Sequence, residues 1–248
     1  MINSSKFMAL KSFNSHTILP LLFLGILLGC KDALSKSVVD TPAEISNENP
    51  EEKEEEIQIE EKEEPFLLTE ENAIDFFFNY NKTLKDDTVK ITTTFGSFTV
   101  QLFDNVPYHK ANFIFLTSKG YFDNTQFHRV VKNFIIQGGN SDDKATGNKR
   151  RAIGRYLLPP DAKKGYKHHR GIISMPSSEI NNPHMLASPY EFFIVVTKPG
   201  SYHLDGDFTP FGKVISGMDV VDKINAQPVG KGDWPSKNIY ILKAEVVN

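Results

Sequence analysis

Cysteine is nearly missing from this chain. Cys30 is the only one in 248 residues. No intrachain disulfide can form, so packing and hydrogen bonds must hold any fold. Tryptophan is as scarce, with Trp234 alone. No apolar run reaches the roughly 20 residues that a membrane-spanning helix needs. There is no Gly-rich phosphate loop and no internal repeat. His168 and His169 are adjacent, and on a strand they would point to opposite faces with no third ligand at helical or hairpin spacing. Neither a metal nor a cofactor is expected. The net charge is −3, and the +4 carried by residues 66–248 is not concentrated in an Arg/Lys run, so nucleic-acid binding is not expected either.

What is there divides by composition. Residues 1–29 read as an export signal. Lys6 and Lys11 form a positive start, and residues 17–28 form an apolar run of twelve, a length that suits a signal segment and cannot span a bilayer. The run ends Leu27-Leu28-Gly29-Cys30, which resembles the bacterial lipobox. That resemblance implies lipidation of Cys30 and a protein anchored to a cell-envelope membrane on its periplasmic or outer-membrane face. Residues 30–65 follow as an acidic tether, with 13 Asp/Glu against 4 Lys from residue 31 onward. Such a stretch cannot bury enough surface to fold, and like charges extend it. The remaining residues 66–248 carry a net +4.

Residues 66–86 hold an accessory helix, expected over 69–84. Thr69 can cap it, and Ile74, Phe77, Phe78 and Asn81 share one face. Residues 89–103 alternate as a hairpin, with Gly96-Ser97 as the expected two-residue turn. Pro107 opens a helix and Gly120 stops it. Short strand-like runs follow at 127–131, 134–137, 171–175, 191–196, 211–216 and 238–247, with a helix at 218–225. Many short strands and few helices argue for an all-β fold, a closed antiparallel barrel.

Four stretches then carry a resemblance. Phe127-His128-Arg129-Val130-Val131 leads to Asn133-Phe134-Ile135-Ile136-Gln137-Gly138-Gly139. Gly171-Ile172-Ile173-Ser174-Met175, Glu191-Phe192-Phe193-Ile194 and His203-Leu204-Asp205-Gly206 with Phe211-Gly212-Lys213-Val214 come after, in order. Residues 87–248 are similar to the cyclophilin-type peptidyl-prolyl cis/trans isomerases. The resemblance implies an eight-stranded antiparallel barrel capped by two helices, with its site on the outer face. It implies proline-containing polypeptides, here exported ones, as substrates, and a monomer. Arg129, Phe134 and Gln137 match the catalytic positions. Ile135, Pro176, Ser177, Glu191, Phe193, His203, Leu204 and Phe208 match substrate-binding positions.

The chemistry needs little. An X–Pro amide resists rotation with a barrier of about 18–20 kcal/mol, and no bond breaks when it turns. An apolar pocket that grips the proline ring and a fixed donor that favours the twisted amide suffice. Several positions depart from the best-known pattern. His203 stands where eukaryotic relatives often have Trp, which weakens the expectation of cyclosporin binding. Phe208 replaces a His that many relatives carry. Glu191 replaces a common Gln and would place a charge beside the substrate backbone. Pro176-Ser177 replaces Ala-Asn. These changes leave a second reading open, a chaperone or adaptor that holds proline segments with little turnover.

Overall fold

The computed structural model describes residues 66–177 and 182–247. The export signal, Cys30 and the acidic tether lie outside them. Among the described residues no helix is long and apolar enough to cross a membrane.

Eight antiparallel strands form one sheet: β1 Thr88–Thr93, β2 Gly96–Leu102, β3 Gln126–Val131, β4 Ile135–Asn140, β5 Ile172–Met175, β6 Phe192–Val195, β7 Thr209–Ser216 and β8 Ile241–Val247. Their order is β3-β4-β6-β5-β7-β2-β1-β8. The expected closed barrel is corrected to a curled half-barrel, because β3 and β8 never pair as a ladder. Among the described residues a single bridge, Gln126 to Tyr240, joins the two edges. Backbone bonds flank it, from Phe127 N to Ile239 O at 2.9 Å and from Ile241 N to Thr125 O at 2.8 Å.

The β1–β2 hairpin turns one pair earlier than expected. Thr93 pairs with Gly96, so Thr94 and Phe95 make the turn. The Thr93 hydroxyl closes it by donating to Gly96 O at 2.8 Å and accepting from Phe95 N at 3.0 Å. The alternation was sound: Val89, Ile91, Phe98, Val100 and Leu102 all face the core.

Among the described residues four α-helices accompany the sheet: α1 Ala73–Thr83, α2 Pro107–Ser118, α3 Lys144–Ile153 and α4 Met218–Asn225. Helix α1 starts later than expected, because Asn72 turns its side chain back to Thr69 N and Leu67 O. Its buried stripe is also rotated. Phe76, Phe77 and Tyr80 pack on Phe115 of α2, while Phe78 is 49% exposed. Three consecutive phenylalanines leave the helical phase open, and Tyr80 decides it. Helix α3 was not anticipated.

The sheet sorts its residues by a period of two. Ile136, Phe192 and Ile194 join the main core with Phe98, Phe113 and Phe211. Their neighbours Ile135, Phe193 and Val195 belong to a second, smaller cluster with Phe134, Leu204 and Phe208. That second cluster lies on the opposite face of the same strands.

Candidate active site

The second cluster floors a pocket of about 390 Å³. Nearly all the residues singled out from sequence meet there. Arg129 comes from β3, and Ile135 and Gln137 from β4. Phe193 comes from β6, with Glu191 just before it. Pro176 and Ser177 follow β5, and Phe134, Leu204 and Phe208 come from turns. Ser188, which sequence reasoning did not single out, also lines the pocket. Of the expected catalytic and substrate-binding residues, His203 alone is not brought in. It is exposed and stacks its ring on the outside of Phe134, 5.4 Å between centroids.

Local structure explains the placement. The turn that presents Phe134 puts Asn133 at φ 59, a left-handed conformation that Asn tolerates. Asn225 of α4 locks that turn. Its carbonyl accepts from Asn133 N at 2.8 Å, and its amide donates to Val131 O at 2.9 Å and Ile135 O at 3.1 Å. The two glycines after Gln137 serve close approach. A Cβ on Gly138 would lie 2.9 Å from the Phe127 ring, and one on Gly139 would lie 2.4 Å from Tyr190 O.

Arg129 pairs across the strands with Gln137. Its side chain is 42% exposed, and its guanidinium lies 3.5 Å from Asp233 Oδ2. Asp233 ends a single 3-10 turn, Lys231–Asp233, whose loop is closed by Gly230 N donating to Trp234 O at 2.8 Å.

Glu191 lines the pocket and is also tied into the protein. Its side chain is only 17% exposed, and its carboxylate is occupied from within. It accepts from Gln137 Nε2 at 2.9 Å and from Asn140 Nδ2 at 3.0 Å. His128 Nε2 lies 3.4 Å away and an Arg150 nitrogen 3.8 Å away. Burial alone would raise its pKa, but the bonds and charges of His128, Gln137 and Arg150 outweigh burial and leave it lowered. The charge is therefore matched by groups of the protein while the residue still lines the pocket.

Beneath Phe193 lies a chain of bonds that sequence reasoning missed. His168 stacks parallel to the Phe193 ring at 6.1 Å. Its Nδ1 is 2.8 Å from Asp205 Oδ1 and its Nε2 is 2.9 Å from Ser174 Oγ. A Ser-His-Asp order invites comparison with hydrolases, but Ser174 is fully buried, so no substrate carbonyl can reach it. The chain instead fixes Phe193 and the Tyr202–Leu204 turn from behind. Burial lowers the His168 pKa, and the bond to Asp205 only partly opposes that. The three residues are separated by 6 and 37 positions, so no local sequence pattern announces them. Among the described residues no cluster of three or more His, Cys, Asp or Glu is placed to hold a metal.

Comparison with known proteins agrees with this geometry. Residues 88–246 match the family described as "Cyclophilin type peptidyl-prolyl cis-trans isomerase/CLD". The chain is 39% identical over 163 residues to peptidyl-prolyl cis-trans isomerase cypE of Dictyostelium discoideum, covering 65% of this chain and 98% of that one. It is 37% identical over 161 residues to peptidyl-prolyl cis-trans isomerase-like 1 of Neurospora crassa, covering 64% and 93%. It spans only 30% of the longer peptidyl-prolyl cis-trans isomerase-like 2 of Rhizopus delemar. These relatives are eukaryotic. Among solved structures, a cyclophilin type peptidyl-prolyl cis-trans isomerase of Cryptosporidium parvum superposes with a TM-score of 0.55 at 28% identity, covering 66% of this chain and 98% of that one. The same protein in the presence of the dipeptide ala-pro gives 0.54 at 29% identity, covering 65% and 99%. The match runs from the first strand to the last and takes in well over half of the sequence, so the chain belongs to the cyclophilin-type peptidyl-prolyl cis-trans isomerase family, isomerases of the EC 5.2.1.8 class.

Proposed function

We propose that this isomerase turns X–Pro bonds in exported polypeptides, with Arg129 stabilising the twisted amide above the apolar pocket. The observation that carries this is the sharing of one pocket by the Arg129 guanidinium and the Phe134, Ile135, Phe193, Leu204 and Phe208 side chains. The apolar wall holds the proline ring while the preceding carbonyl swings. A guanidinium is charged at any ordinary pH and presents a rigid donor fork to the carbonyl and to the pyramidalising nitrogen. Gln137 gives its Nε2 to Glu191, which leaves its Oε1 as an acceptor for Arg129 across the strand pair. The presence of ala-pro in the Cryptosporidium structure fits a pocket of this chemistry.

NMR exchange spectroscopy on a proline peptide tests the reading. Arg129→Ala should lower kcat/KM by roughly 10²–10³ with little change in affinity. Phe134→Ala should weaken binding along with rate. An Arg129→Ala variant that loses affinity and keeps its exchange rate would make Arg129 a binding group and favour a proline-segment chaperone.

Export and anchoring rest on residues 1–30. A lone Cys closes the apolar run there, and acyl chains on it would hold the domain at a membrane surface. Cys30→Ser should move the protein to the soluble fraction. Persistence in the membrane fraction after a salt wash would overturn the anchor.

A further inference from the structure

Strand β3 ends the sheet and forms its ladder with β4 alone. Gln137 therefore meets Arg129 from one side, and among the described residues no strand meets it from the other. The ladder also slips just before it. Phe127 pairs with Gly138 and Arg129 with Gln137, so β3 carries an extra residue between them. Such a bulge bends an edge strand and re-aims the side chains beside it. An arginine there has a long stem with many rotamers, and it needs a second hold to stand in one place.

The loop between α4 and β8 fills the open side. Its neck is zipped: Gly230 N donates to Trp234 O and Ser236 N to Pro228 O, each at 2.8 Å, and Val229 bridges Pro235. At the tip, Gly232 and Asp233 both take left-handed backbone, at φ 75 and φ 62. Few side chains accept that conformation, and the short carboxylate of Asp is among them. The reversal aims Asp233 back at β3. Its Oδ2 lies 3.5 Å from the Arg129 guanidinium. Among the described residues neither side chain has another hydrogen bond or ion pair. Trp234 seats the tip next to this contact, with its ring 6.0 Å from the ring of His128.

We propose that Asp233 is a positioning residue for the isomerisation: it holds the Arg129 guanidinium at the pocket before a substrate arrives. The proposal rests on the reading of Arg129 given above. A donor fixed in advance needs no reorganisation as the amide twists. Asp233 is not part of the pocket wall, so it acts through the arginine. The guanidinium fork has donors to spare, and one contact with a carboxylate leaves others for the substrate carbonyl and nitrogen.

The test uses the full chain and NMR exchange spectroscopy on an Ala-Pro peptide. It compares wild type, Asp233→Asn, Asp233→Gly, Arg129→Ala and the double variant Arg129→Ala/Asp233→Asn. Asn and Gly both accept left-handed backbone, so the loop keeps its shape, which Trp234 emission and urea unfolding check. Each single Asp233 variant should lower kcat by roughly two- to fivefold at nearly constant KM, the scale of one half-exposed ion pair. The gap between wild type and Asp233→Asn should narrow in high salt, which screens that pair. With Arg129 already replaced by Ala, Asp233→Asn should change nothing further. An unchanged or faster kcat in both Asp233 variants would overturn the proposal, as would an effect confined to KM. A loss of the same size in the Arg129→Ala background would also overturn it, because a purely structural loop gives that result. An Arg129→Ala variant with undiminished kcat would instead sink the reading of the arginine, and the role of Asp233 with it.

Discussion

Strands β4 and β6 each carry two chemistries, one per face. Ile136 and Ile194 pair with each other and face the main core. Ile135 and Phe193, one residue away, face the pocket. The inward set is covered on all sides by other apolar groups, whereas the outward set meets a cavity and an arginine. A shift of one residue in register would exchange them, so the period-two pattern fixes fold and site together. The inner face stabilises the protein, and the outer face, made of the same residue types, is left free to grip a ligand.

The comparison breaks most visibly at neighbouring phenylalanines. Phe192→Ala empties a closed core site and should cost about 3–5 kcal/mol in urea unfolding. Phe193→Ala opens onto a cavity that water can enter and should cost roughly half as much. It should nevertheless weaken proline-peptide binding far more than the stability loss explains. Equal stability losses with unchanged binding would erase the distinction between the faces.

A second contrast sets one histidine against another. His109, in α2, is fully buried with neither ring nitrogen bonded among the described residues, and burial pushes its pKa down to about 3. His168, behind the pocket, has both nitrogens partnered. A lowered folded-state pKa means that the unfolded chain takes up the proton first as pH falls below about 6.5. Stability should therefore drop with acidification, by about 2 kcal/mol between pH 6.5 and 5 for His109 alone. His109→Leu should flatten that slope in chemical unfolding followed across this range. A slope unchanged in the variant would assign the acid sensitivity elsewhere.

The smallest effect is expected at Glu191. Glutamine there could donate as well as accept, so it would no longer fix which way the Gln137 amide points. Glu191→Gln should lower kcat by roughly two- to fivefold with KM nearly constant, the scale of one lost hydrogen bond. A change confined to KM would return Glu191 to the substrate contacts.

Much of this was legible beforehand, for physical reasons. Alternation gave the inward faces of β1 and β2, and Pro107 and Gly120 bracketed α2. The motif residues from Phe127 to Gly139 lie in two paired strands, so closeness in sequence became closeness in space. What escaped notice depended on distant partners. His168, Ser174 and Asp205 meet only through the fold. The α1 phase hung on Tyr80 finding Phe115. Helix α3 hid because Gly147 and Asn148 interrupt it, although Asp143 caps it by accepting from Thr146 N at 2.7 Å, a short-range signal that could have been read. The partners of Glu191, namely His128, Gln137, Asn140 and Arg150, come from distant parts of the chain, so sequence showed its charge without the groups that surround it.

The only tryptophan of the chain stands beside this machinery. Trp234 follows Asp233, which pairs with Arg129, and its half-exposed ring lies 6.0 Å from the His128 ring. The protein thus carries its own optical probe. Ultraviolet emission from the native chain reports one location, a residue away from the group that holds the arginine. A peptide that drew the guanidinium from Asp233 would change the indole's surroundings with it. Ligand entry should then be visible as a shift in intensity or colour, in the unmodified protein and with no dye attached.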